Sequence, residues 1–180
     1  MNNYLVARSF NVLYIWIDTI LLLAFVCILT RLRRWAALVV GLLGGVLYFI
    51  VDYGLFYVLL GTRTVIGMSI VPLEFWLSFS YGIRNLGWLG LWSEEPDNRW
   101  EWSILFPTGW LTSALVSQGF GGAFHSVHIA RHVSSYHGIM VVFALAGYAW
   151  LAIHNLRHPD ERYSIRSALT IGIGIQFTWE

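Results

Sequence analysis

The feature that most constrains the fold is a long apolar stretch with a carboxylic acid inside it. Residues 64–92 read TVIGMSIVPLEFWLSFSYGIRNLGWLGLW, which is long enough to cross a bilayer as a helix, since about 20 apolar residues suffice. In helical spacing Glu74, Ser78, Tyr81 and Asn85 share one face. An acid at bilayer depth is costly unless it is paired, protonated or facing a cavity. We therefore expect the function to centre on Glu74.

The composition predicts a multi-pass integral membrane protein rather than a soluble domain. Of the 180 residues 57% are hydrophobic and 12% are charged, against roughly 25% charged in soluble domains. The net charge of +1 gives no basic surface for nucleic acid. The single cysteine, Cys27, excludes a disulfide within the chain, cysteine-ligated zinc and CxxC redox chemistry. We predict no cofactor, and the lipid bilayer as the first partner.

The apolar runs predict an all-α fold with about six transmembrane helices in one domain, residues 1–180. The expected spans are about 10–30, 35–60, 64–92, 103–124, 137–156 and 167–180. The first nine residues lack the basic start and cleavage site of a signal peptide, so the first run is expected to be retained. Seven arginines fall in one set of loops and three in the other, which places the N-terminus outside and the loop at residues 31–34 in the cytoplasm.

Two patterns indicate how the spans are arranged. Gly41 and Gly45 form a small-xxx-small pair that permits close helix packing and, through it, an oligomer. Residues 64–74 (TVIGMSIVPLE) and 170–180 (TIGIGIQFTWE) both run from Thr to Glu over the same length. If this similarity is a true repeat, the chain has two three-helix halves of inverted topology, which is a common plan of transporters.

The acids inside apolar runs are the candidate functional groups, and they have two interpretations. These residues are Asp18, Asp52, Glu74 and Glu180. One interpretation is structural: interhelical ion pairs, such as Asp52 with Arg84. The other is chemical, because a carboxylic acid that stays protonated near neutral pH can deliver a proton, as both acid catalysis and proton-coupled transport require.

The chemical interpretation predicts an internal pocket. Glu74, Asp52 and Glu180 would supply its acids. Its remaining wall is predicted from the polar row and nearby aromatic residues, namely Ser78, Tyr81, Asn85, Tyr48, Tyr53 and Trp179.

The six histidines are not predicted to bind a metal. His125, His128 and His132 fall on one helical face by spacing, and HxxxH pairs occur at His128/His132 and at His154/His158. The two groups are predicted to lie near opposite membrane surfaces, where interfacial histidines are ordinary. His137, which opens a predicted span, is the exception that we single out.

Two short segments resemble membrane cyclases. Residues 150–180, WLAIHNLRHPDERYSIRSALTIGIGIQFTWE, resemble the opening segment of the fungal integral-membrane meroterpenoid cyclases. The matching positions are Trp150, Asp160, Tyr163, Gln176, Trp179 and Glu180, with Gln176 where the family has Asn. The resemblance implies that Glu180 is a proton donor and that Gln176 and Trp179 bind substrate. Pro72-Leu73-Glu74 is similar to the Pro-x-Glu-Glu motif of small membrane lycopene cyclases, with Phe75 in place of the second Glu.

Three functions therefore remain open at the level of sequence. The first is an intramembrane enzyme that protonates a lipid-soluble isoprenoid, with Glu74 and Glu180 as candidate acids and Asp52 in support. The second is a small-solute transporter or a substrate-binding membrane subunit. Its transport could be coupled to protons through the same acids. The third is a structural subunit of a membrane complex, in which the acids only pair helices.

Overall fold

The computed structural model describes residues 5–94, 96–132 and 136–164. The chain divides into two compact units, one of residues 7–131 and one that combines residues 1–6 with 132–180. The larger unit holds the candidate acids Asp18, Asp52 and Glu74. The two units are described separately below.

The larger unit is built mainly from helices, two of which contain π-helical segments. Helix α1 is Val12–Arg31, and α2 is Trp35–Phe49, which continues as a π-helical segment, Ile50–Leu59. Helix α3 is Ile70–Tyr81, followed by a π-helical turn, Gly82–Leu86, and by α4, Gly87–Glu94. A 3₁₀ turn, Pro96–Asn98, leads to α5, Arg99–Phe120, and a second one, Gly121–Ala123, follows it.

The ends of α1 are fixed by specific local chemistry. The Asn11 side chain caps the helix by accepting a hydrogen bond from the backbone N–H of Tyr14 at 3.0 Å, and it donates another to the carbonyl of Ser117 in α5 at 2.9 Å. Gly121 packs so closely on this side chain that a Cβ there would lie 1.8 Å from Asn11 Nδ2. At the other end, Arg33 has φ of 58°, which turns the chain directly into α2.

A three-stranded sheet lies at one end of these helices. Its strands are β1, Leu5–Asn11, β2, Arg63–Ile66, and β3, Ser126–His132, in the order β1-β3-β2. Strands β2 and β3 are antiparallel, with Arg63 opposite Arg131. Because side chains alternate across a strand, Val127 and Ile129 both face inward, and they form one apolar cluster with Ile15, Leu73 and Leu77.

Close packing of glycines brings α2 against α3 and α4. A Cβ on Gly82 would lie 2.1 Å from the backbone nitrogen of Gly45, and one on Gly41 would lie 3.0 Å from the Cα of Ile83. Gly41 and Gly45 are buried in this contact. The predicted close helix packing at this pair therefore occurs within one chain, and the oligomer stays a prediction.

The prediction of a mainly helical fold is confirmed in its coarse form. Two helices, Val12–Arg31 and Trp35–Leu59, are long and apolar enough to cross a membrane among the described residues. The fold is not all-α, because residues 63–66 form a strand where the third span was expected to begin. The fourth predicted span falls in α5, the fifth in α6, and the sixth, 167–180, lies outside the described residues.

The smaller unit contains one long helix and a short return of the chain. Helix α6 is Tyr136–Arg157, and a 3₁₀ turn, Pro159–Glu161, follows it. The side chain of Asn155 makes two hydrogen bonds of 2.9 Å to the backbone of Tyr163. These bonds hold the chain that follows the helix back against its last turns.

Candidate functional site

Glu74 lies in the second turn of α3, beneath the sheet. Because the helix begins at Ile70 rather than near residue 64, the acid is about 6 Å along the helix axis from its start, rather than mid-span as expected. The residue is fully buried. Neither carboxyl oxygen has a hydrogen-bond partner in the described part of the chain. A buried acid without such a partner is costly, so this position demands an explanation.

Ser78 presents a second buried polar atom one helical turn from Glu74. Its side chain is fully buried, and its hydroxyl oxygen lacks a hydrogen-bond partner within the described residues. The spacing of four residues places both side chains on the same face of α3. The helix thus presents an acid and a hydroxyl toward the interior.

The other members of the predicted polar row are divided. Asn85 is buried in the π-helical turn, and its amide nitrogen has no hydrogen-bond partner in the described part of the chain. Tyr81 is only half-buried, and its hydroxyl accepts a hydrogen bond of 2.5 Å from Arg8 of β1. Tyr81 is therefore tied to the sheet.

Asp52 is engaged in a buried ion pair with Arg63. The carboxylate Oδ1 lies 2.5 Å from Arg63 Nη2, and the side chains are 10% and 0% exposed, respectively. The guanidinium also lies over the ring of Phe56, 5.0 Å from its centroid. The suggested pair of Asp52 with Arg84 is wrong, because Asp52 pairs with Arg63 of β2 and Arg84 pairs with Asp18 of α1.

The charged groups that act on Glu74 are those of Asp52, Arg131 and Arg63. Arg63 and Arg131 are paired in register on neighbouring strands, and by the alternation of side chains both share the inward face of their strands, Arg63 with Val65 and Arg131 with Ile129. The sheet thus brings two guanidinium groups over the end of the bundle where Glu74 and Asp52 lie. Within the described residues, this is where the structure brings two of the predicted acids together.

Asp18 belongs to a separate polar cluster that the sequence did not identify as a unit. Its carboxylate lies 2.5 Å from Arg84 Nη2. It also accepts hydrogen bonds from Ser80 at 2.9 Å and from the indole of Trp76 at 3.1 Å. All three partners come from α3 and the π-helical turn. The spacing Trp76–Ser80–Arg84, at i, i+4 and i+8, is the signal that could have revealed this face.

A row of aromatic side chains connects α2, its π-helical segment and α3. Phe49 stacks on Tyr53 with 5.1 Å between ring centroids and contacts Phe75 at 5.9 Å, and Phe75 contacts Phe79 at 4.5 Å. The predicted wall residue Tyr53 is half-buried in this row, which we call the aromatic seam. Tyr48, the other predicted wall residue of α2, is buried.

Several predicted site residues lie outside the described part of the chain. These are Glu180, Trp179 and Gln176. The structure also changes the setting of two histidines, because His128 and His132 lie on strand β3, so the predicted helical face is wrong. No group of three or more His, Cys, Asp or Glu side chains suited to a metal ion occurs among the described residues.

Comparison with known proteins leaves this site to be interpreted from its geometry. No family model, no curated protein and no solved structure matches the chain.

Proposed function

We propose that this chain is a multi-pass membrane protein that uses Glu74 as a proton-donating acid on a lipid-soluble isoprenoid. The observation that carries the proposal is the full burial of Glu74 without a hydrogen-bond partner among the described residues. An acid in this setting has no structural bond to hold it in place, which favours a chemical role.

The distribution of polarity supports placement in a membrane. Large apolar side chains on α2 point away from the protein, with Leu43, Leu47 and Ile50 63%, 58% and 60% exposed. Asp18 and Glu74, by contrast, are fully buried. Contiguous exposed apolar surface with buried acids is unfavourable in water and suits hydrocarbon. The N-terminus outside and the Arg31–Arg34 turn in the cytoplasm are parts of the same proposal.

The electrostatics of the site suit a neutral acid. Burial disfavours the charged form of a carboxyl group. The positive charge of Arg63 is already balanced by Asp52 at 2.5 Å, so Glu74 does not have to ionise to satisfy it. A protonated carboxylic acid in a dry site is a competent proton donor.

The proposed step transfers one proton and moves two electron pairs. A carbon–carbon double bond of the isoprenoid supplies the pair for a new C–H bond, while the O–H pair stays on Glu74 as a carboxylate. The resulting cation is attacked by another double bond, which closes a ring, and loss of a proton from the product cation restores the acid. Aromatic faces stabilise cations, and the aromatic seam includes Phe75, the residue that follows Glu74 in α3.

Proton-coupled transport of a small solute is the second candidate, and one observation favours it. Asp52 and Arg63 form a buried ion pair, Arg131 lies opposite Arg63 in the sheet, and all three charged groups interact with Glu74. Buried acids linked to such groups mark proton pathways in carriers.

Replacement of Glu74 by Gln tests the proposal, because it keeps the size and removes the titrating proton. Vesicles containing the purified protein, linear isoprenoid alcohols and hydrocarbons, and D₂O should yield cyclic product with deuterium on one carbon. We expect this product to disappear in Glu74→Gln with an unchanged yield of folded protein. Glu101→Gln, at an exposed position of α5, is the matched control and should retain activity.

The other outcomes separate the alternatives. If wild-type vesicles form no product but take up protons with a solute, and Glu74→Gln does not, the protein is a carrier. Cyclisation that survives in Glu74→Gln refutes the assigned acid. If Glu74→Gln fails to fold while Glu101→Gln folds normally, the acid is structural and the chain acts as a subunit.

A further inference from the structure

The sequence contains the spacing HxxxH twice, and the structure gives the two copies different geometries. His154 and His158 lie at the end of α6, where their ring centroids are 4.8 Å apart. His128 and His132 lie on strand β3, where four residues span about 13 Å. Of these two pairs, the one on the helix, His154 and His158, has its imidazole rings close enough to bind one ion.

The helical pair is held in place by its surroundings. The ring of Tyr163 lies 4.9 Å from that of His154, and the ring of Trp150 lies 5.3 Å from it on the preceding turn. The Asn155 side chain donates one hydrogen bond to the backbone carbonyl of Tyr163 and accepts another from its N–H, which keeps this tyrosine against His154. The histidine rings are thus positioned by packing on two sides.

One ring nitrogen of the pair is left without a partner. Nδ1 of His154 is buried and makes no hydrogen bond within the described residues. A buried polar atom of this kind has lost its hydration without gaining a bond in exchange, and a bound ion would supply that bond. His158, in contrast, is exposed, so an ion can reach the pair from solvent.

We infer that His154 and His158 bind one divalent first-row transition-metal ion. A metal–nitrogen distance of 2.0–2.1 Å places two imidazole rings on one ion with centroids about 5 Å apart, which matches the observed spacing. Imidazole suits Cu²⁺, Ni²⁺ and Zn²⁺, whereas Mg²⁺ and Ca²⁺ prefer oxygen ligands. Two protein ligands leave the other positions to water, so the bound ion is exchangeable. This site is separate from Glu74 and does not rest on its proposed role.

Metal titration of the full chain tests this inference. The purified protein, with any affinity tag removed, is titrated with Cu²⁺ and with Ni²⁺ by calorimetry, and the Cu²⁺ complex is examined by electron paramagnetic resonance. We expect one ion per chain, tighter binding of Cu²⁺ than of Ni²⁺, nitrogen couplings in the spectrum, and no response to Mg²⁺. His154→Gln and His158→Gln should each lose saturable binding.

The double variant His128→Gln/His132→Gln is the matched control, since it removes the same motif from a strand. It should bind the ion as the wild type does. Absence of saturable binding by the wild type overturns the inference, and so does binding that persists in His158→Gln. Because His158 is exposed, that variant should fold even if His154→Gln does not.

Discussion

The buried pair of Asp52 and Arg63 makes the placement of Glu74 testable by thermodynamic coupling. Replacing Asp52 by Asn removes the carboxylate that forms an ion pair with Arg63, whose side chain is fully buried. Arginine cannot lose its proton in a protein, so another carboxyl must balance the charge. Glu74, whose carboxyl already interacts with Arg63, is the group that can do so by ionising.

If Glu74 replaces Asp52 as the counter-ion of Arg63, the free energies of unfolding of the variants can be predicted. Asp52→Asn should cost about 1.5–3 kcal/mol, the value of a charge-assisted hydrogen bond. Glu74→Gln alone should cost little, since its oxygens have no hydrogen bond to lose among the described residues. The double variant removes both the carboxylate that pairs with Arg63 and the carboxyl of Glu74 that interacts with it, and breaking a buried ion pair costs about 3–5 kcal/mol. The double effect should therefore exceed the sum of the single effects by about 1–2 kcal/mol.

Reversible unfolding in mixed micelles, followed by tryptophan fluorescence, measures these values. Asp52→Asn combined with Glu101→Gln is the control, and its two effects should add within about 0.5 kcal/mol. If the effects of Asp52→Asn and Glu74→Gln also add within that margin, Glu74 does not balance Arg63. The charged site described here would then be wrong.

Three further variants test the packing and the orientation. Gly82→Ala should lower the free energy of unfolding by about 1–3 kcal/mol because the added methyl group meets backbone of α2, whereas Gly54→Ala, with no atom within 4 Å of its Cβ, should be neutral or stabilising. Arg33→Gly should raise the free energy of unfolding by up to about 1 kcal/mol, because φ of 58° strains a residue with a side chain; a loss of stability would contradict this. In a Cys27→Ser background, a thiol introduced at Asn98 should react only with reagents that enter the cytoplasm, and labelling from outside intact cells would reverse the topology.

The helices could be predicted from the sequence because long apolar runs have few alternatives. The runs at residues 10–30 and 35–60 correspond to α1 and to α2 with its π-helical segment. The sheet was missed because β2 is only four residues long and adjoins an apolar helix, so its residues read as the start of a span. In β3 every second residue, namely Val127, Ile129 and Arg131, lies on one face, as in a strand. The spacing of His125, His128 and His132 also fits a helix, and the helical interpretation was the one predicted.

The part of the candidate site that lies on one helix could be predicted, whereas the contacts between distant segments could not. Burial of Glu74 and Ser78 follows from the position of polar residues on an otherwise apolar helix, which a sequence displays directly. The partner of Asp52 depends on how distant segments meet, and the strand that carries Arg63 could not be placed without the sheet. The π-helical turn at Gly82–Leu86 also changes the helical register, which separates the environment of Arg84 from that of Glu74.

The order of the strands has a consequence for biosynthesis. Strands β1 and β2 each pair with β3, which lies between them, and about 60 residues separate the end of β2 from the start of β3. At a translation rate of about 5–20 residues per second, β2 waits about 3–12 s with an unpaired edge, and β1, which ends about 115 residues before β3 begins, waits about 6–23 s. The cover over Glu74 is therefore completed in one late step of synthesis, and a nascent chain that stops before β3 carries two open edges that invite aggregation.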